Sequence, residues 1–181
     1  MQILKTSLDG VLLLTPSVFE DERGFFYESF NKKQFEKALR APIDFLQENQ
    51  SRSAQGVIRG LHYQLEKPQG KLVRATRGSI FDVAVDIRKT SSTFGQWVGV
   101  EISEDNHRQL WIPAGFAHGF LVLSDLADIV YKATDYWYPE HERCIRWNDP
   151  TIAINWPSVG EPILSGKDRL GEFLTNAEVY R

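Results

Sequence analysis

The stretch Ser79-Ile-Phe-Asp-Val-Ala-Val-Asp-Ile87 decides the fold class of this chain. Apolar residues at every second position from Phe81 to Ile87 predict a β-strand with one face in a hydrophobic core. The other face alternates aliphatic residues with Asp82 and Asp86, which suits the wall of a wet cavity. An edge strand with one solvated face would show the same pattern, and this segment alone does not decide between the two.

Short strands separated by turn residues extend on both sides of that segment. One helix is predicted to begin after Asn31, as N-cap, with Gln34 three residues later, and to be stopped by Pro42. Many short strands with one short helix exclude a doubly wound α/β fold and favour a sandwich or jelly-roll barrel. Further strands are expected at residues 71–76, 97–102, 110–112, 119–123 and 129–134.

Length and composition limit the possible functions. A chain of 181 residues has the size of one domain, and no linker divides residues 1–181. With 21 basic and 24 acidic side chains, no positive excess exists to bind a nucleic-acid backbone. The single cysteine, Cys144, fits a reducing compartment, and the longest apolar runs, of four residues, are too short for a signal peptide or membrane span. These features predict a cytoplasmic protein without nucleic-acid or membrane partners.

His62 is the first candidate for chemistry. Strand alternation places it on one face with Gly60 and Gln64 and sends Arg59 to the opposite face. The small Gly60 leaves room for a ligand to approach, and a neutral imidazole is a competent general base. On periodicity alone, a hydrogen-bonded structural histidine is the simpler interpretation.

A metal site is not predicted. Metal-binding barrels often carry two histidines two positions apart on one strand, but His62 is followed by Gln64, and His118 lies far along the chain. The other two histidines, His107 and His141, have highly polar neighbours and are expected at the surface. We therefore expect neither a metal nor another cofactor.

Three motifs together resemble the dTDP-4-dehydrorhamnose 3,5-epimerase family. They are Arg59-Gly-Leu-His-Tyr-Gln64, Pro113-Ala-Gly-Phe-Ala-His-Gly-Phe120 and Ser165-Gly-Lys-Asp-Arg169. Supporting segments from about residue 11 to 169 follow in family order and spacing, among them Asp21-Glu-Arg-Gly-Phe-Phe26, Gln47-Glu-Asn-Gln-Ser51, Gly70-Lys-Leu-Val-Arg74 and Tyr131-Lys-Ala-Thr-Asp-Tyr136.

The resemblance implies a cupin-type double-stranded β-helix, a jelly-roll barrel with few short helices, that acts as a homodimer without metal. The implied substrate is a dTDP-linked 4-keto-6-deoxyhexose, inverted at two centres on the path to dTDP-rhamnose. Both centres, C3 and C5, flank the C4 carbonyl, so loss of either proton gives an enolate. Such a reaction needs a base on one face, an acid on the other and a cation or donor at the oxygen.

By resemblance, His62 is the base, Asp168 orients its imidazole, Tyr131 is the acid and Lys71 stabilises the enolate. Three of these residues also have simpler interpretations. Tyr131 could be a core tyrosine of a strand, Lys71 a solvated strand end, and Asp168 a residue that forms the turn before Arg169. Trp137 departs from the Tyr-Tyr pair of many family members. The implied substrate-binding residues are Arg23, Phe26, Glu28, Gln47, Glu48, Asn49, Arg59, Lys71, His118, Trp137, Glu142 and Lys167.

Three functions are compared. The 3,5-epimerase is predicted; the alternative is a mono-epimerase that inverts only C3 or only C5 of a related dTDP-4-keto-6-deoxysugar. A non-catalytic sugar-nucleotide binding module would not need His62, Tyr131 and Asp168 together. A dimer is expected because strand edges of small jelly rolls invite pairing. Residues 2–14 add strand-like apolar content without an obvious local partner.

Overall fold

The computed structural model describes residues 1–181 and contains two β-sheets that share a hydrophobic core. The six-stranded sheet has the order β1 (Gln2–Lys5), β2 (Leu12–Thr15), β10 (Gln109–Ile112), β7 (Lys71–Arg77), β12 (Leu126–Ala133) and β5 (Gln47–Ala54). The five-stranded sheet has the order β13 (Glu142–Cys144), β6 (Ile58–Gln64), β11 (Phe116–Val122), β8 (Ser79–Asp86) and β9 (Trp97–Ser103). The predicted all-β, cupin-type jelly roll is confirmed.

The remaining elements are short. Strands β3 (Phe19–Asp21) and β4 (Gly24–Phe26) form a separate hairpin. The helices are α1 (Lys32–Leu39), α2 (Gly166–Arg169) and one 3₁₀ turn (Pro139–His141). No helix has the length and apolar character needed to cross a membrane.

Strand β8 lies inside the five-stranded sheet, hydrogen-bonded to β11 on one side and β9 on the other. Ile80 and Ala84 belong to the core between the sheets. Val83 and Val85 face the other way and pack in a second buried cluster, beneath residues of the C-terminal segment such as Leu174. The edge-strand interpretation is therefore wrong, because both faces of β8 are covered.

Helix α1 begins as predicted, since the Asn31 side chain accepts a hydrogen bond from the backbone N–H of Gln34. It ends at Leu39, before Pro42, because Arg40 adopts a left-handed conformation with φ 55°. Phe35 of α1 packs against Trp111 on the outer face of the six-stranded sheet. This contact fixes the helix away from the space between the sheets.

Residues 2–14 do have a local partner, contrary to the sequence-based expectation. Strand β1 pairs antiparallel with β2, and β2 pairs with β10. The Thr6 hydroxyl donates to the carbonyl oxygens of Leu8 and Val11, which closes the turn between the two strands. One edge of β1 is therefore paired within the chain, whereas its other edge forms the border of the six-stranded sheet and has no partner in the chain.

Candidate active site

A bulge in β6 decides which side chains enter the space between the sheets. His62 lies opposite His118 of β11, and Arg59 lies opposite Phe120, so three steps on β6 match two on β11. Both Arg59 and His62 therefore lie on the inner face, and the expectation that Arg59 faces away is wrong. Simple alternation fails here because it assumes no extra residue in the strand.

Gly60 serves this bulge rather than a ligand. A Cβ at residue 60 would lie 2.5 Å from the Cα of Gly119 and 2.7 Å from the carbonyl oxygen of His118. Gly60 also has φ +125°, which side chains rarely allow. The room left by its missing side chain is filled by β11, so the interpretation of Gly60 as an opening for substrate is wrong.

His62 and Asp168 form a close hydrogen-bonded pair, with 2.5 Å between Nε2 and Oδ1. Asp168 lies in α2 and is buried, and its Oδ2 accepts a hydrogen bond from Ser165, the N-cap of that helix. Burial raises the pKa of Asp168, but the hydrogen bonds from His62 and Ser165 outweigh it and leave the pKa below its usual value. Because Nε2 faces this carboxylate, Nδ1 of His62 is the nitrogen left to accept a proton.

Cys144 adjoins this pair. The donor atoms of His62, Cys144 and Asp168 all lie within 4.8 Å of one another, a set of types that zinc uses. The 2.5 Å spacing of His62 and Asp168 is that of a hydrogen bond, whereas two ligands of one tetrahedral zinc lie roughly 3.3 Å apart. Burial also raises the pKa of the Cys144 thiol to about 12, which keeps it protonated. The arrangement fits proton transfer better than metal ligation.

The six-stranded sheet contributes Lys71 and Tyr131 from its inner face. The Lys71 ammonium lies 5.9 Å from the centroid of the Tyr131 ring. Burial lowers the pKa of Lys71 to about 8, against the opposing effect of the Glu142 and Asp82 carboxylates. Burial raises the pKa of Tyr131, partly offset by a hydrogen bond with Asn49. Tyr131 is thus a neutral phenol at physiological pH and has a proton to give.

His118 lies beside His62 and makes a second histidine–carboxylate pair. Its Nε2 lies 2.7 Å from Oδ1 of Asp82, and both side chains are buried. Sequence reasoning named His118 as a binding residue but gave Asp82 only a place on a cavity wall. The signal for Asp82 was a carboxylate on the inward-facing side of a largely apolar strand, a signal that Asp86 shares.

Polar side chains at the rim of the space between the two sheets form a network of hydrogen bonds and one ion pair. Glu142 forms an ion pair with Lys167 at 2.5 Å and accepts a hydrogen bond from the Trp137 indole at 3.1 Å. The Trp137 backbone N–H donates to Gln47, whose amide donates to Asn49, each at 2.9 Å. The half-exposed Trp137 ring is thus held at the entrance by groups from β5 and β13.

Four predicted binding residues do not meet the others within one chain. Arg23 and Phe26 lie on the exposed β3–β4 hairpin, where Arg23 pairs with Asp21. Glu28 accepts hydrogen bonds from the N-terminal residues of α1. Side chains alternate between the two faces of a strand, so Glu48 lies on the outer face of its sheet, unlike Gln47 and Asn49. There it pairs with Lys132 at 2.6 Å.

Gln64 and the other two histidines have separate environments. The Gln64 side chain donates to the carbonyl oxygens of Lys67 and Tyr136 and accepts from the backbone of Tyr138, so it holds a loop. His107 packs against the rings of Phe25 in β4 and Tyr27 just after it. His141 lies 3.8 Å from Glu66. Both histidines are partly exposed.

The inner faces of the two sheets therefore carry different groups. His62 projects from the five-stranded sheet, whereas Lys71 and Tyr131 project from the six-stranded sheet. A small ligand between the sheets is approached by a base from one side and by an ammonium and a phenol from the other. This arrangement can remove and return protons on opposite faces of one molecule.

Known proteins have the same sequence pattern and structure. The family model for dTDP-4-dehydrorhamnose 3,5-epimerase matches residues 5–176. A Pseudomonas aeruginosa protein of that name is 57% identical over 180 residues, 99% of each chain. The crystal structure of a Legionella pneumophila dTDP-6-deoxy-D-glucose-3,5-epimerase in complex with dTDP-4-keto-L-rhamnose superposes with a TM-score of 0.97 at 51% identity, covering 99% of this chain and 97% of that one.

A 3'-monoepimerase of Streptomyces bikiniensis in complex with dTDP-quinovose is more distant. It has a TM-score of 0.90 and 33% identity, and the match covers 94% of this chain and 86% of that one. The family resemblance read from the three motifs is confirmed. The chain belongs to the dTDP-4-dehydrorhamnose 3,5-epimerase family.

Proposed function

We propose that this protein is an isomerase that converts dTDP-4-dehydro-6-deoxy-D-glucose to dTDP-4-dehydro-L-rhamnose by epimerisation at C3 and C5, a step of dTDP-rhamnose biosynthesis. The family assignment supports the reaction. The observation that carries it is the placement of His62 and Tyr131 on facing sheets, since inversion needs proton removal and return on opposite faces.

His62 begins the reaction as general base. Its Nδ1 takes the proton from C3 or C5, the C–H electron pair forms a double bond to C4, and the carbonyl π electrons move onto the C4 oxygen to give an enolate. The imidazolium that forms is stabilised by Asp168, which already accepts its Nε2–H at 2.5 Å. A buried carboxylate in this position also keeps the ring from rotating away.

Lys71 stabilises the enolate and Tyr131 completes the inversion. A buried ammonium acts strongly on a nearby oxyanion because little water screens it. The Tyr131 phenol then delivers a proton to the face opposite His62, and the electrons return to the carbonyl. The resulting phenolate and imidazolium exchange protons with solvent before the second centre reacts.

The rim residues, together with Arg59 and His118 of the inner face, hold the rest of the substrate. The planar donor group of Arg59 and the ammonium of Lys167 suit the diphosphate, and His118 suits a sugar hydroxyl. The amides of Gln47 and Asn49 suit the thymine edge, and the exposed Trp137 ring offers a stacking surface for the base. Trp137 keeps the stacking area of a tyrosine without its hydroxyl.

The active form is proposed to be a cytoplasmic homodimer built from one domain, residues 1–181. The side chains of Phe19, Phe25 and Phe26 on the β3–β4 hairpin are more than half exposed, an aromatic patch that a second copy would cover. Arg23 and Glu28 adjoin this patch, so a dimer would give these predicted binding residues a role. Sedimentation giving a mass near 20.8 kDa at micromolar concentration would contradict the dimer.

The proposed reaction needs no cofactor, because Lys71 already supplies a positive charge for the enolate. Activity should therefore survive exhaustive chelation. Activity that is lost with a chelator and restored by a divalent ion would show that the oxyanion needs a metal.

The decisive experiment is proton NMR of the purified protein with dTDP-4-dehydro-6-deoxy-D-glucose in deuterated water. Deuterium uptake with inversion at both C3 and C5 is expected. Exchange at one centre only would select the mono-epimerase, which the Trp137 departure and the likeness to a 3'-monoepimerase keep as the alternative. No exchange at either centre would leave a sugar-nucleotide binding module.

A further inference from the structure

Gln64 is a buried side chain whose amide hydrogens are both used within the chain. It is the last residue of β6, two positions after His62, and is 2% exposed. Its Nε2 donates to the carbonyl oxygens of Lys67 at 2.8 Å and Tyr136 at 3.1 Å, and its Oε1 accepts from the backbone N–H of Tyr138 at 2.7 Å. Gln64 therefore has no donor to offer a ligand, and its effect has to pass through the backbone that it holds.

Two of these three hydrogen bonds reach the peptide groups on either side of Trp137. The Tyr136 carbonyl belongs to the peptide group before Trp137, and the Tyr138 N–H belongs to the one after it. The N–H of Trp137 itself donates to Oε1 of Gln47 at 2.9 Å. Because each peptide group is planar, fixing the groups on both sides of a residue fixes the direction in which its side chain leaves the backbone.

The segment around Trp137 has little other support. Residues 136–138 lie between β12 and the 3₁₀ turn and belong to neither a helix nor a strand. The backbone N–H groups of Tyr136, Trp137 and Tyr138 all donate to side chains rather than to a neighbouring strand. Trp137 is 53% exposed, so core packing contributes little to the orientation of its ring. The side-chain hydrogen bonds are what orders this part of the entrance.

We propose that Gln64 is a positioning residue for nucleotide binding: it holds Trp137 in the orientation in which its ring stacks on the base of the substrate. The inference rests on the proposed function, which assigns the stacking surface to Trp137. Gln64 acts from the five-stranded sheet and Gln47 from the six-stranded sheet, so the ring is held from both sides of the entrance. A ring that is already ordered binds the base without the entropic cost of ordering it.

Gln64→Met tests this role, because methionine keeps the length of the side chain and removes all three hydrogen bonds. The Kd of dTDP, measured by titration calorimetry, should rise about three- to tenfold, which is the cost of ordering one or two loosened side chains on binding. The KM of the dTDP-sugar should rise by the same factor. The kcat and the deuterium uptake at saturating substrate should change less than about twofold, because His62 and Tyr131 remain.

A double-mutant cycle with Trp137→Ala separates this role from a general loosening of the fold. Trp137→Ala alone should raise the Kd of dTDP about tenfold or more, the usual cost of losing an aromatic ring that stacks on a base. If Gln64 acts through Trp137, adding Gln64→Met to Trp137→Ala should change the Kd less than about twofold further. Two independent sites would instead multiply their effects.

Gln109→Met is the matched control. Gln109 is also a glutamine that is 2% exposed, and its amide donates to the carbonyl oxygen of Ser29 at 2.8 Å. It lies in β10 on the same outer face of the six-stranded sheet as Trp111, away from the entrance. This variant should lose stability and leave the Kd of dTDP unchanged. If Gln64→Met does not fold, Gln64→Glu keeps the acceptor for Tyr138 and removes both donors.

Three results would overturn the inference. They are an unchanged Kd in a folded Gln64 variant, a full effect of Gln64→Met in the Trp137→Ala background, and an equal change of Kd in Gln109→Met. A wild-type protein that binds dTDP but has no epimerase activity would instead refute the proposed function. Binding of dTDP is measured without turnover, so the two failures are distinguishable.

Discussion

Two neighbouring histidines of the five-stranded sheet each pair with an aspartate, and the two pairs differ in the exposure of the imidazole and in the hydrogen bonding of the carboxylate. The register places His62 directly opposite His118. The His62 side chain is 25% exposed and its partner Asp168 has both oxygens hydrogen-bonded. His118 is buried, and its partner Asp82 has one oxygen bonded and one free.

The difference makes the same two residue types suited to separate tasks. A partly exposed imidazole is suited to taking a proton when both oxygens of its carboxylate partner are hydrogen-bonded. The carboxylate fixes one ring nitrogen, and the other ring nitrogen can contact the ligand. A buried imidazole fixed by a carboxylate through one nitrogen is suited to holding a ligand with the other. The roles that we propose for the two histidines therefore rest on exposure and hydrogen bonding, not on residue type.

The largest expected effect comes from His62→Asn, which removes the base. Inversion and deuterium uptake at C3 and C5 should both fall by about 10²-fold or more, because no other group nearby is proposed to take the first proton. Proton NMR in deuterated water measures both. Retained deuterium exchange would show that another residue is the base and would contradict the role proposed for the His62–Asp168 pair.

Tyr131→Phe acts from the facing sheet and should separate proton removal from inversion. His62, Asp168 and Lys71 remain, so the enolate still forms, and the phenyl ring keeps the packing of the site. The enolate should recapture a proton or deuteron from His62 on its original face. Deuterium should enter at C3, C5 or both while little epimer forms.

Two outcomes would refute that role for Tyr131. Normal epimerisation would make it a core tyrosine. Complete absence of exchange in a folded variant would make Tyr131 necessary for proton removal. His62 would then not be sufficient as the base.

Much of the fold was predictable because apolar and polar residues alternate along most of its strands. Five of the predicted strands recur as β7, β9, β10, β11 and β12 with shifts of at most three residues at an end. Strand β5 was missed, because its polar sequence Gln47-Glu-Asn-Gln-Ser-Arg-Ser-Ala54 has no apolar face. Its inner side faces the polar cavity, so burial patterning cannot reveal it.

The site was less predictable, because it depends on departures from regularity. The bulge at residues 59–62 brings Arg59 to the inner face, and no periodic pattern contains that information. The approach of Asp168 to His62 joins residues 106 positions apart, which only the folded chain shows. The motif resemblance named both residues without explaining their geometry.

Asp168→Asn should have a smaller effect than loss of His62, because the imidazole remains and only its carboxylate partner is changed. The asparagine amide can donate to Nε2, which would place the ring proton on Nδ1 and block the base. We expect kcat to fall about 10-fold to 10²-fold with little change in KM. An unchanged rate would reduce Asp168 to a residue that only shapes the turn into α2.

His118→Asn should have the smallest effect and is the matched counterpart of His62→Asn. It removes an imidazole from the same inner face, one strand away, while leaving His62, Asp168, Lys71 and Tyr131 in place. If His118 binds a sugar hydroxyl, the loss is one hydrogen bond, worth about 1.4 kcal/mol or roughly tenfold. That loss should appear mainly in KM, with deuterium uptake retained at saturating substrate.

Two results for His118→Asn would contradict separate roles for the two histidines. A loss of exchange as large as in His62→Asn would place a base on both strands. The two pairs would then share one task, for example one base for each of C3 and C5. Unchanged KM and kcat would mean that the buried pair serves only the packing of the sheet. A tenfold rise in KM with exchange intact is the one pattern that keeps the reachable pair as the base and the buried pair as the holder of the ligand.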